Sequence, residues 1–287
     1  MSDAAAAQVI EAYSTSFSLA GSLLRGRVHT DVRNIYAVVR IADEVVDGVA
    51  GEAGLDRAHT RQLLDAFERE VLDALGTGFS TNPAVHAFAT TARHANIGEE
   101  LIRDFFAAMR RDLSPAELTD AELRRYIHGS AETVGLMCLA VFTADSPMPA
   151  DTRATCKEGA LALGRAFQNV NFLRDSREDV QALGRRYFGC LSDGPESGIT
   201  DRLKVQVLDS VDEDLAAAYA TVGLLPTSSR TGVLAALLLF AELSRRLRRA
   251  PAAEITEQRI RVPGAAKLQV VARAVRLAPG LRGGESL

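Results

Sequence analysis

Apolar residues recur at three- and four-residue intervals along almost the whole of this chain, and runs of alternating β-branched residues are missing. A strand buries every second side chain and a helix every third or fourth, so this spacing predicts an all-α protein. Helices are expected at 4–24, 31–49, 56–75, 83–96, 98–111, 119–143, 150–182, 200–222, 227–248 and 264–275. Between them stand the turn signals "GVAGEAG", "STNP", "LSPAELTD", "DSPMPAD", "SDGPESG", "LLPTSS" and "RVPG", rich in residues that break helices or satisfy turns. Asp120 reads as an N-cap. No Gly/Ser-rich or Pro-rich linker divides the 287 residues. The expectation is therefore a single helical domain over 1–276, followed by a mobile tail at 277–287.

The bulk composition excludes several function classes. A chain that is 47% hydrophobic and 24% charged can bury a core. Its formal net charge of −4 gives no footprint for nucleic acid; the Arg-rich stretch at 245–251 reads as the cationic end of a helix, offsetting the dipole. Cys138, Cys156 and Cys190 lie far apart, without the C-x₂-C spacing of zinc or redox sites, and read as buried free thiols in a reducing compartment. The start of the chain lacks a basic region followed by an apolar one, so no secretory signal is expected. The longest apolar run, at 232–243, is too short to span a bilayer. A cytoplasmic protein follows, with at most peripheral membrane contact.

Two stretches carry chemistry. On a helical wheel of about 100° per residue, Tyr36, Arg40, Asp43 and Asp47 share one stripe, with Ile35, Val38, Val39, Ala42, Val45 and Val46 opposite. Carboxylates at i and i+4 stand about 5–6 Å apart at Cβ and repel unless a cation lies between them. Mg²⁺ suits such a pair, because it takes one or two carboxylates plus phosphates and waters. A solvated helix face explains one such pair equally well. The second stretch, "LGRAFQNVNFLRDSREDV", places Gln168, Asn171, Asp175 and Asp179 within about 80° of one another. Amides inside an apolar helix need partners, and this ladder consists of oxygen ligands. Arg174 and Arg177 flank it with paired N–H donors suited to a diphosphate.

At these residues the sequence resembles the squalene/phytoene synthase family, through "YSTSF", "RNIYAVVRIADEVVD", "FFAAMRRDL", "YIHGSAETVGLM", "LGRAFQNVNFLRDSREDVQALGRRYF" and "RIRVPGAAKL". The resemblance implies an isoprenoid-synthase fold, with helices around a central cavity capped by two aspartate-rich helices. It implies Mg²⁺, or Mn²⁺ in its place, on Asp43, Asp47, Asp175 and Asp179, with Asn171 and Gln168 supporting the second cluster. Tyr36, Arg40 and Arg174 would contact diphosphate, and Ser16 and Phe17 would line the prenyl pocket. The implied reaction ionises an isoprenyl diphosphate and forms a C–C bond. In this family it is a head-to-head condensation of two prenyl diphosphates, as of geranylgeranyl diphosphate to phytoene. No glycine-rich dinucleotide fingerprint is present, so no NADPH is expected.

The sequence departs from the family pattern at His128, where a tyrosine is usual, at Glu132, where glycine is frequent, and at Phe240, in place of a tyrosine. His128 and Glu132 are i,i+4 neighbours that could act as a catalytic base. Two other readings therefore stand beside head-to-head coupling. One is prenylation of an aromatic acceptor by a short allylic diphosphate such as dimethylallyl diphosphate. The other is a non-catalytic helical binding protein.

Overall fold

Local chemistry sets the helix ends. The computed structural model describes residues 15–47, 49–114, 118–181, 187, 199–285 and 287. Its helices are α1 (Thr15–Gly21), α2 (Arg27–Val46), α3 (Val49–Glu52), α4 (Arg57–Thr77), α5 (Pro83–Ala95), α6 (Glu99–Asp112), α7 (Asp120–Ile127), α8 (Thr133–Ala144), α9 (Ala150–Gln181), α10 (Asp201–Val222), α11 (Thr227–Arg249), α12 (Ala252–Glu257) and α13 (Gly264–Leu277). Asp56 caps α4 by accepting from the His59 N–H at 2.8 Å, and Gly78, at φ 80°, closes it in the left-handed region that glycine adopts without strain. Asn82 caps α5 ahead of Pro83. No strand occurs among the described residues, so the all-α expectation holds.

Three boundaries differ from the sequence reading. The cap of α7 is Thr119, which forms a reciprocal capping box with Glu122, and Asp120 is the first helical residue. Helix α2 begins at Arg27 rather than 31. Asp31 lies buried inside it, accepting from Thr91 Oγ1 at 2.7 Å and paired with Arg27 at 3.1 Å. The helix expected over 119–143 is interrupted by a π turn at His128–Glu132, where the Thr133 N–H reaches back to the His128 carbonyl. The short helix α3 falls within the turn signal at 48–54, and the short helix α12 lies where no element was expected.

The 120–144 rod is long and apolar enough to cross a membrane. Here it is a core element, packed on α2, α5, α6 and α9. Glycines permit the close crossings. A Cβ on Gly164 of α9 would stand 2.8 Å from the Ala131 carbonyl oxygen and 2.9 Å from Glu132 Cα, and one on Gly135 would stand 2.7 Å from the Ala160 carbonyl oxygen. Helix α9 runs through the middle of the assembly, touching α8, α10, α11 and α12, while α8 also touches α2. The two acid-bearing helices, α2 and α9, are thus tied together by the rod between them.

One apolar core extends from Ala20 to Leu281. The segment after Leu277 stays on that core. Leu281 is only 6% exposed, and the Gly284 N–H donates to the Ala220 carbonyl at 2.8 Å. The arginines at 245–249 do lie at a helix end, and three of them are ion-paired: Arg245 and Arg246 with Glu242, and Arg248 with Asp209 and Asp212 of α10. Burial pushes the Cys138 thiol up to about 12; Cys156 is also buried, and Cys190 lies outside the described residues.

Candidate active site

The first acidic stripe sits at the C-terminal end of α2. Arg40 binds both Asp43, at 3.5 Å, and Glu44. Burial pushes the Tyr36 phenol above its ordinary range, with Asp43 and Glu44 adding to the effect and Arg40 opposing it. Tyr36 therefore stays a protonated, half-buried donor beside a guanidinium. Asp47 departs from the sequence reading, because the helix ends at Val46 and Asp47 is the exposed cap residue, its N–H bonded to the Asp43 carbonyl at 2.9 Å. Its backbone remains one turn from Asp43, although it leaves the helical stripe.

The second stripe lies near the C-terminal end of α9. Arg174 grips its neighbour Asp175 with two N–H groups, Nε to Oδ1 at 2.8 Å. Arg259, from the segment after α12, adds a third contact to Oδ1 at 3.0 Å, and Arg177 donates to the Glu257 carbonyl of that same region. One turn before Asp175, Asn171 Oδ1 is buried with no hydrogen-bond partner, as is Ser176 Oγ. Such an orphaned acceptor costs about 1–3 kcal/mol unless something else occupies it. Gln168 is half-buried on the same face. Beside it, Phe167 stacks on Phe240 of α11, with centroids 3.7 Å apart.

A third cluster centres on the π turn. His128 Nδ1 lies 2.7 Å from Glu132 Oε2, Glu132 Oε1 accepts from Arg165 at 2.9 Å, and Arg165 forks onto Asp214 of α10 at 2.7 and 3.2 Å. Asp104 of α6 stands 3.7 Å from His128 Nε2. Glu132 is 9% exposed, and its two partners keep an acid at this depth satisfied. Glu132 thus orients the imidazole through Nδ1, with Nε2 on the side of Asp104.

Three groups result: Tyr36, Arg40 and Asp43 on α2; Asn171, Arg174 and Asp175 on α9; and His128 with Glu132 at the π turn. The side chains of Ser16, Phe17 and Asp179 lie outside the described residues. Sequence reasoning did not single out Arg259, Arg165 or Asp214, all three of which reach their partners through tertiary structure. The arrangement also contains Tyr126, whose hydroxyl meets Asp112 at 3.0 Å.

No three carboxylate, histidine or cysteine groups converge as a preformed metal cage among the described residues. The all-oxygen donors and the vacant Asn171 acceptor fit Mg²⁺, once Arg174 and Arg259 turn from Asp175 to an anion.

An all-α arrangement with two acid-bearing helices packed on one rod is what the expected isoprenoid-synthase fold requires. The solved structures agree: a dehydrosqualene synthase superposes with a TM-score of 0.78 at 23% identity, covering 98% of this chain and 97% of that one. A squalene synthase from Alicyclobacillus acidocaldarius gives 0.68 at 22% identity, covering 86% and 93%. The squalene/phytoene synthase profile matches residues 10–266, and the chain belongs to that family. It is 33% identical over 187 residues to the phytoene synthase of Arthrospira platensis, a match covering 63% of this chain and 58% of that protein. Against the 15-cis-phytoene synthase of a Paracoccus species it is 29% identical, covering 89% and 84%. The chain spans little more than half the length of the first of these, and 53% of a Synechocystis 15-cis-phytoene synthase.

Proposed function

We propose that this chain is a Mg²⁺-dependent prenyltransferase that ionises an isoprenyl diphosphate and condenses it head to head with a second one, geranylgeranyl diphosphate being the substrate. The observation that carries this is the juxtaposition of a buried, partnerless amide oxygen on Asn171 with a carboxylate, Asp175, held by Arg174 and Arg259. A diphosphate and its counter-ion supply what each of these groups lacks or must exchange. The names of the curated relatives support the same reaction.

Asp43, Asp47, Asn171, Asp175 and Asp179 would hold the metal, which when bound neutralises charge on the departing diphosphate. Arg40, Arg174 and Arg259 bind phosphate oxygens, and Tyr36, kept protonated by burial, donates a hydrogen bond. The allylic C–O bond breaks with its electron pair leaving on the diphosphate. The C2=C3 bond of the second prenyl chain attacks the resulting cation, and that chain then loses a proton as a ring closes. The stacked Phe167 and Phe240 present ring faces able to stabilise positive charge. The second diphosphate then leaves with its electron pair, the cyclopropylcarbinyl skeleton rearranges, and loss of a second proton gives a phosphate-free polyene without any hydride.

The His128–Glu132 contact of 2.7 Å favours a second reading. A carboxylate-oriented imidazole is suited to deprotonate the arenium ion formed when a short allylic cation, as from dimethylallyl diphosphate, alkylates an aromatic acceptor.

Incubation with geranylgeranyl diphosphate alone separates the two. A phosphate-free hydrocarbon of twice the substrate's carbon count supports head-to-head coupling; its absence, with prenylation of an added aromatic, supports the second reading. Chelation of Mg²⁺ and Asp175→Ala should each abolish diphosphate release while the helical circular dichroism persists. Failure to turn over any allylic diphosphate from dimethylallyl to geranylgeranyl would refute both and leave a binding protein.

A further inference from the structure

Among the described helices, α13 alone leaves two large apolar side chains exposed. Its inner side seats Ala274 on the core and rests partly buried Val270 and Leu277 there. Its outer side exposes Leu268, at 65%, and Val275, at 49%, with Ala272 between them. At 100° per residue these three fall within about 60° of one another, so they form one apolar stripe about 10 Å long. Arg273 and Arg276 flank it on one side and Lys267 on the other, with the two arginines exposed.

The charge around this stripe is one-sided. From Gln258 to Gly284 the chain carries six basic residues, Arg259, Arg261, Lys267, Arg273, Arg276 and Arg282, and no acidic one, in a protein whose net charge is −4. Arg261, Arg273, Arg276 and Arg282 are all exposed.

We infer that α13 is an interfacial helix that docks this protein on a bilayer bearing anionic lipid headgroups. The stripe is too small for a stable protein interface, which needs about 800 Å² per partner. An apolar strip bordered by cations is the pattern of helices that lie in the headgroup region, with their apolar side chains in the acyl boundary and their cations among phosphates. The position also serves the proposed reaction. Only the short Ile260–Pro263 stretch separates Arg259, on Asp175, from the start of α13. Docking through this helix therefore brings the second acidic cluster close to the membrane surface, where a prenyl diphosphate partitions and an apolar product must go. The docking itself is read without substrate, so its test is independent of the reaction assigned above.

The test is co-sedimentation of the full-length protein with phosphatidylcholine vesicles, with and without phosphatidylglycerol. The wild type should pellet with the anionic vesicles, remain in solution with the neutral ones, and dissociate as salt is raised. Each cation at the surface is worth on the order of fivefold in partitioning, so Arg273→Glu with Arg276→Glu should weaken binding about 25-fold or more. Leu268→Ser with Val275→Ser, both at exposed positions, should weaken it about tenfold. Wild-type protein that ignores anionic vesicles, or binding unchanged in both double variants, would overturn the inference. So would sedimentation showing a wild-type dimer, without vesicles, that either double variant dissociates, because the stripe would then be covered by a second copy of the chain.

Discussion

Replacing Asn171 by leucine should make this protein more stable and leave it inactive. The Oδ1 atom of Asn171 is buried without a partner, a state that costs about 1–3 kcal/mol relative to a satisfied or apolar group. Leucine has the same branching at Cγ, bulkier methyl groups and no polar atom, so the substitution removes the penalty without opening a cavity. Allowing for an imperfect rotamer, a gain of about 1–2 kcal/mol is expected, or a melting temperature raised by about 2–6 °C for a chain of this size. Calorimetry in the absence of divalent ions measures it. The same variant should lose about 100-fold or more in Mg²⁺-dependent diphosphate release, because an oxygen ligand is gone. Asn171→Asp sharpens the test. It keeps an oxygen but adds a second carboxylate one turn from Asp175, so the variant should be destabilised without metal and regain stability when Mg²⁺ is added. A lowered melting temperature in Asn171→Leu together with retained turnover would refute the reasoning, since it would make the amide part of a satisfied structural network.

Two further outcomes follow from the packing. Gly164→Ala adds a methyl 2.8–3.0 Å from backbone atoms of Ala131 and Glu132; the rod cannot yield as a flexible side chain would, so a loss of about 1–3 kcal/mol is expected by urea titration despite alanine's better helix propensity. Burial raises the Cys138 thiol from 9.0 to about 12, so its thiolate population at mildly alkaline pH is cut about a thousandfold. The higher intrinsic nucleophilicity of such a thiolate offsets part of this, and alkylation of Cys138 followed by mass spectrometry should run on the order of thirtyfold slower than for free cysteine until the protein unfolds.

The helices were legible because their apolar faces are regular, and α4, α5, α9, α10 and α11 begin and end within about two residues of where the periodicity and turn signals put them. The adjacency of Arg174 and Asp175, and the spacing of Arg40 and Asp43, were legible for the same reason: both are local. What the sequence concealed was non-local or register-dependent. Arg259 reaches Asp175 across three intervening helices of the sequence, and nothing in "RIRVPG" marks which arginine does so. The Arg165–Asp214 fork joins α9 to α10, whose polar residues look like ordinary solvated positions. Asp120 outranked Thr119 as a cap on propensity alone, whereas the capping box with Glu122 decided in favour of Thr119. The π turn leaves no trace in the hydrophobic pattern, because the residues on either side are each helical in their own register.

That turn has a consequence for how this rod tolerates changes in length. A π turn is an α-helix carrying one residue too many, so its backbone can close into regular α-helix if a residue is removed within His128–Glu132, with no hydrogen bond lost from the ladder. One turn closed by an i→i+5 bond sweeps nearly the same angle as one closed by an i→i+4 bond, so the side chains on either side of such a deletion keep their relative orientation. Tyr126 would stay on Asp112 and Gly135 at its crossing with α9, whereas a deletion elsewhere in the rod would turn one side by about 100° relative to the other. A scan of single-residue deletions along Asp120–Ala144 should therefore find the tolerated ones at this turn, with helix content and the fit between the rod's two halves both kept. The wide turn absorbs the extra residue, so the rod meets α6 and α9 in the phase of an uninterrupted helix.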